Sequence, residues 1–166
     1  MKISEVSLPA ESALRHALQR IDYCDSYETQ LIKSDLSVNE AYLAIFGVAP
    51  GWVRCLMFVR GRVVALFGLT HHKHSSNLDF TIGKRVAPFM VHATYPNELI
   101  VGDDDKHLNY KISTYKSFRD GNAFITVSTA VEIHNRLGHL YMFFVKPFHR
   151  FIAPYMMRLA VLEDLL

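Results

Sequence analysis

Between Asn135 and Leu166 the chain reads NRLGHLYMFFVKPFHRFIAPYMMRLAVLEDLL, an apolar stretch interrupted by Lys146, Pro147, Arg150 and Pro154. A membrane anchor, a core helix and a pocket wall all have uses for such a stretch. Its uncharged run LGHLYMFFV falls far short of the ~20 residues a spanning helix needs. The spacing fits a core helix instead. Asn135 is a plausible start, and Leu137, Leu140, Tyr141 and Phe144 share one face. Pro147 is expected to break or kink the helix, because it lacks an N–H and its ring meets the preceding turn. Beyond it, Phe148, Ile152, Tyr155, Leu159, Leu162 and Leu166 recur at spacings of four and three.

A helix with so long an apolar stripe needs a partner layer, and the preceding residues supply one. Four segments alternate with the period of two that half-buried strands require. They are RVAPFMVHATY, LIVG, KHLNYKISTYKSF and AFITVSTAVEIHN, separated by the turns PNE, DDD and RDGN. Short connections of this kind predict an antiparallel meander. A further strand is expected over 21–32, with Tyr23, Tyr27, Thr29 and Leu31 on one face. After it, Ser37 and Glu40 form a capping box for a short helix, with Gly47 as its left-handed stop. Pro50 opens a second helix with Trp52, Cys55, Leu56, Val59, Val63, Leu66 and Phe67 on one face, ending at Gly68. Arg54, Arg60 and Arg62 rule it out as a spanning helix, since each would sit in hydrocarbon. Residues 70–84 are polar and aperiodic, the signature of a loop.

The chain's 166 residues suit a single domain, 1–166. Eleven Phe, eight Tyr and one Trp must be housed in its interior. A net charge of +2, with no basic stripe, argues against nucleic acid. Cys24 and Cys55 are read as small buried side chains and not as a disulfide framework, which implies a reducing compartment. Charged residues interrupt the amino terminus where a secretory signal would be apolar, and a cytoplasmic location is expected.

The element order is strand, two helices, antiparallel strands and a long terminal helix. It resembles the α+β helix-grip fold of the START-like (SRPBCC) superfamily, a curved antiparallel sheet wrapped around its last helix. Four segments are similar to the recurring blocks of a bacterial family catalogued as a domain of unknown function within that superfamily. They are DYCDSYE (22–28), PGWVRCLMFVRGRVVALFGL (50–69), ELIVGDDDKHLNYKIS (98–113) and HNRLGHLYMFFVKPFHRFI (134–152). The loop 70–84 and Pro154 depart from the pattern. The resemblance implies a fold with a hydrophobic cavity between sheet and helix, and it brings no reaction or ligand with it.

Chemistry-bearing motifs are sparse. His71, His72 and His74 could take a metal with Asp79 as a third ligand, but a solvated loop explains them better. Asp103, Asp104 and Asp105 fail the calcium-loop pattern, since His107 and Leu108 stand where an oxygen ligand and a glycine are needed. They are read as a water-facing turn. No phosphate loop and no nucleophile signature occur, and neither metal nor cofactor is expected.

The expected function is binding of a small hydrophobic or lipid-like molecule between sheet and helix. Tyr110, Ile112, Thr114, Val127, Phe144, Phe148, Ile152 and Tyr155 are the expected lining, by strand and helix phase. Tyr110 is also readable as a core aromatic whose hydroxyl a neighbour satisfies, and His92 and Glu132 are placed toward solvent. Two rival readings stand. One is a cyclase- or dehydratase-like enzyme in the same cavity, which needs two ionisable groups converging within ~3 Å. The other is an interaction module, a homodimer or a peripheral membrane face, built on Trp52, Met57, Phe58 and Val64.

Overall fold

A computed structural model describes residues 2–47, 50–53, 55 and 78–166. Among these residues seven strands form one antiparallel sheet in the order β1-β2-β7-β6-β5-β4-β3. They are β1 (Ser4–Glu5), β2 (Tyr23–Gln30), β3 (Arg85–Val86), β4 (Phe89–Tyr95), β5 (Glu98–Asp104), β6 (Leu108–Arg119) and β7 (Asn122–Ile133). Helix α1 (Val38–Phe46) follows β2, and helix α2 (Arg136–Leu162) follows β7. Curved antiparallel sheet and long terminal helix make up the α+β helix-grip fold that the sequence resemblance implied.

The meander from β4 to β7 follows from local chemistry. Asp120 and Gly121 both take positive φ, 50° and 76°, which suits the tight turn joining the two longest strands. The strand expected over 85–95 is split. Ala87 turns left-handed at φ 53°, and the following Pro88 has no N–H to donate to a ladder. A bulge between Val91 and Ala93 bends β4 further.

Ser37 caps α1 as its sequence predicts, with Glu40 reaching back to the Ser37 N–H at 2.9 Å. Gly47 is not left-handed; it ends α1 at φ −72°, its N–H bound to the Leu43 carbonyl at 2.8 Å. Tyr42 and Ile45 are fully buried against the sheet. Each contributes about 1.5–3 kcal/mol by leaving water.

Helix α2 starts where expected, with the Asn135 side chain accepting from Gly138 N–H at 3.0 Å. It runs uninterrupted through Pro147 and Pro154. Tertiary packing overrides the local penalty of both prolines. The buried face is also rotated from the expected stripe: Gly138, Met142, Met156, Met157, Ala160 and Val161 are buried, while Leu140, Phe144, Phe148 and Leu162 are exposed.

Two layers cover the sheet. Strands β2, β5, β6 and β7, with α1 and the second half of α2, enclose the main core around Tyr27, Val101, Ile125, Val127 and Met157. On the opposite face an amino-terminal segment that periodicity did not reveal packs its 3-10 turn, Ala13–His16. Leu14 is buried there against Ile100 and Ala130. Glu98 anchors the segment, accepting from Ser12 Oγ at 2.5 Å and Ala13 N–H at 2.7 Å, and also from Ser113 Oγ. Glu132, placed toward solvent by its sequence, is buried beneath this segment, and His92 is partly buried on the same face.

Two further expectations are corrected. Cys24 and Cys55 are free but exposed, Cys24 because its parity on β2 turns it away from the main core. Asp103 and Asp104 belong to β5 and not to a turn, and Asp103 is buried. His71, His72, His74, Met57, Phe58, Val64, Arg54, Arg60 and Arg62 lie outside the described residues.

Candidate functional site

The strand register sorts the helix-facing side of the sheet into rows. Tyr23, Val131, Tyr110 and Asp103 form one row across β2, β7, β6 and β5. The next holds Asp25, Thr129, Ile112 and Val101, and the third Tyr27, Val127, Thr114 and Leu99. Neighbours within a row stand about 4.8 Å apart. Helix α2 meets this surface with His149 opposite Asp25, and with Ile152, Ala153 and Tyr155 against the core.

Two polar clusters interrupt the apolar rows. In the first, Tyr23 donates its hydroxyl to Asp25 Oδ2 at 2.7 Å, and His149 Nδ1 lies 3.0 Å from the same oxygen. A carboxylate only accepts, so Nδ1 carries the proton, and it is Nε2 that bears the lone pair of the imidazole form. Thr129 Oγ1 stands 3.4 Å from that Nε2, a long and weak contact. The side chain of Asp25 is 3% exposed and that of His149 is 26% exposed, so the pair reaches from the interior to the surface. Burial pushes the Tyr23 phenol well above its ordinary range, with the Asp25 carboxylate adding to the shift. Tyr27, whose hydroxyl reaches the Arg150 carbonyl at 3.4 Å, is raised for the same two reasons.

In the second cluster Tyr110 donates to Asp103 Oδ2 at 2.7 Å, and the Arg85 guanidinium pairs with the other carboxylate oxygen. Tyr110 thus matches the reading of a core aromatic with a satisfied hydroxyl. Its ring meets Phe89 edge-on, with centroids 5.9 Å apart.

Two buried polar atoms have no hydrogen-bond partner among the described residues: Thr114 Oγ1 and Asp25 Oδ1. Both belong to side chains of the helix-facing rows. Two strand spacings, about 10 Å, separate them across the sheet.

Of the residues expected to line a cavity, Tyr110, Ile112, Thr114 and Val127 share the helix-facing side. Ile152 and Tyr155 come from α2 to meet the same core. Phe144 and Phe148 do not join them, being 61% and 56% exposed. Sequence reasoning passed over Asp25 and His149, and both had a signal. Asp25 shares the parity of Tyr23, Tyr27 and Leu31, and His149 stands seven residues from both Met142 and Met156, which are buried. Among the described residues no cluster of three or more His, Cys, Asp or Glu is arranged to hold a metal. No described helix is long and apolar enough to cross a membrane.

The profile of one family, described as "Protein of unknown function (DUF2867)", matches residues 17–156. No curated protein matches the sequence. Among solved structures, CalU16 from Micromonospora echinospora is 12% identical, with 85% of this chain and 83% of that chain covered at a TM-score of 0.35. Ara h 8.0201 is 13% identical, with 84% of this chain and 97% of that chain covered at a TM-score of 0.36. At these values neither bears on ligand or chemistry.

Proposed function

Starting from a chain that belongs to the DUF2867 family of proteins of unknown function, we propose that it binds a small apolar or lipid-like molecule between the sheet and α2. The observation that carries this reading is the pair of unpartnered polar atoms, Thr114 Oγ1 and Asp25 Oδ1, in otherwise largely apolar rows. A buried hydroxyl without a partner costs about 1–3 kcal/mol, and a ligand's polar group offsets that cost. Ile112, Val127, Ile152 and Tyr155 supply the apolar wall and Tyr110 a ring edge. The ligand is held by exclusion of water plus one or two orienting hydrogen bonds.

Titration with a fluorescent fatty alcohol, which is neutral, tests this, using Thr114→Val. The variant removes the unpartnered hydroxyl and is expected to be more stable by about 1 kcal/mol in urea unfolding. It is expected to bind the probe several-fold more weakly. Unchanged affinity, or a wild-type protein that takes up no probe, contradicts the reading.

A homodimer is the second reading. It is favoured by the exposed Leu140, Phe143, Phe144, Phe148 and Phe151 of α2. Light scattering coupled to gel filtration separates the two, since a strict monomer that binds the fatty alcohol removes it.

A further inference from the structure

We infer that Asp25 and His149 form a proton-transfer site in which His149 is a general base acting on a neutral, largely apolar molecule with one weakly acidic C–H. The inference rests on the binding reading above and adds a reaction to it. Asp25 Oδ2 accepts two hydrogen bonds, from Tyr23 O–H at 2.7 Å and from His149 Nδ1–H at 3.0 Å. That fixes the imidazole's tautomer and orientation, and it stabilises the imidazolium formed when Nε2 takes a proton. Asp25 and Tyr23 are therefore positioning residues. Only His149 has its basic atom unengaged by a strong bond, since its contact to Thr129 is 3.4 Å.

A nucleophilic role for Thr129 fits less well. Acyl transfer needs free N–H donors for a developing oxyanion. Thr129 lies mid-strand in β7, paired to β2 on one side and β6 on the other, so its neighbouring amides are committed to ladders.

The class of substrate follows from the surroundings. Val131 and Val127 flank Thr129 on the same face, Ile112 stands opposite it, and Ile152 follows His149 by three residues along α2. Three cations on this side are engaged: Arg150 with Glu5 at 2.8 Å, Arg85 with Asp103, and Lys146 5.2 Å from the centre of the Tyr23 ring. An anionic substrate would meet the Asp25 carboxylate, while the Arg150 and Arg85 guanidiniums are already paired. A neutral carbon acid meets neither obstacle.

The probe for such a base is 5-nitrobenzisoxazole, which is neutral and apolar. His149 Nε2 takes the proton from C3, the C–H electron pair completes a C≡N bond, and the N–O bond breaks with its pair on the phenolate oxygen. The imidazolium then returns its proton to water, so no co-reactant is consumed. Wild-type protein is expected to accelerate the reaction saturably, and H149Q to lose at least about tenfold. D25N is expected to lower the rate and displace the pH profile, which is shaped by Asp25 and Tyr23 from β2 and Thr129 from β7 against His149, and beyond them by Lys146 over the Tyr23 ring and by Arg150 with its partners Tyr27 and Glu5.

Uptake of the fluorescent fatty alcohol is measured on each variant in parallel. If wild-type and H149Q bind the alcohol and react with the benzisoxazole equally, the base assignment is overturned while the binding reading survives. If wild-type binds no fatty alcohol, the binding reading fails and this inference falls with it.

Discussion

His92 shows how one residue's burial becomes a property of the whole fold. Its Nε2 lies 3.0 Å from Lys111 Nζ and 3.3 Å from the Gly102 carbonyl, and Lys111 is itself paired with Asp104 at 2.6 Å. Burial first, and the Lys111 charge second, lower the histidine's pKa from its usual 6.5. In the unfolded chain His92 takes up a proton near that ordinary value; in the fold it resists. The unfolded state therefore binds more protons below about pH 6.5, and stability is lost as pH falls from there through the lower folded value. Urea midpoints at about pH 7.5 and 5.5 measure the loss. In His92→Gln the difference between them is expected to shrink, and an undiminished difference would place the titrating group elsewhere.

At the scale of elements, Gly138 inverts a propensity rule. Replacing glycine by alanine inside a helix ordinarily adds about 1 kcal/mol of stability. Here an added Cβ would meet Ile133 Cγ2 at 2.8 Å and collide with the His107 carbonyl. The first turn of α2 sits directly on the β5–β6 connection and the end of β7, leaving no room for a methyl. Gly138→Ala is expected to destabilise by about 1–3 kcal/mol, the usual cost of overpacking, measurable by thermal or urea unfolding. A stabilised variant would mean that α2 stands off the sheet. The capping box of α1 and the Asn135 cap behaved as local sequence predicts, because each is complete within four residues. The prolines of α2 did not, because their penalty is a few kcal/mol and the long helix's packing exceeds it.

The whole molecule is a sheet covered on both faces, and the second cover is the amino-terminal segment. Its hold depends on Leu14 among Ile100 and Ala130, and on Glu98 gathering Ser12, Ala13 and Ser113. Leu14→Ala is expected to cost about 2–5 kcal/mol, as for other fully buried leucines. Global unfolding by urea would register it; a change under about 1 kcal/mol would show that the segment docks without supporting the sheet. The sequence did not reveal this layer, since a 3-10 turn of four residues is too short to have a period.

Periodicity and turn chemistry alone determined the antiparallel meander, the helix starts at Ser37 and Asn135, and the face of β6 and β7 that meets α2. These are short-range properties, set by alternation along a strand and by caps a few residues wide. Tertiary structure decided which side of α2 is buried, why Asp103 is an interior partner and not a turn residue, and that Asp25 meets His149 across 124 residues of chain. No local pattern encodes that meeting. It arises when register and helix placement, each fixed by burying other residues, bring two polar side chains to the same few ångströms.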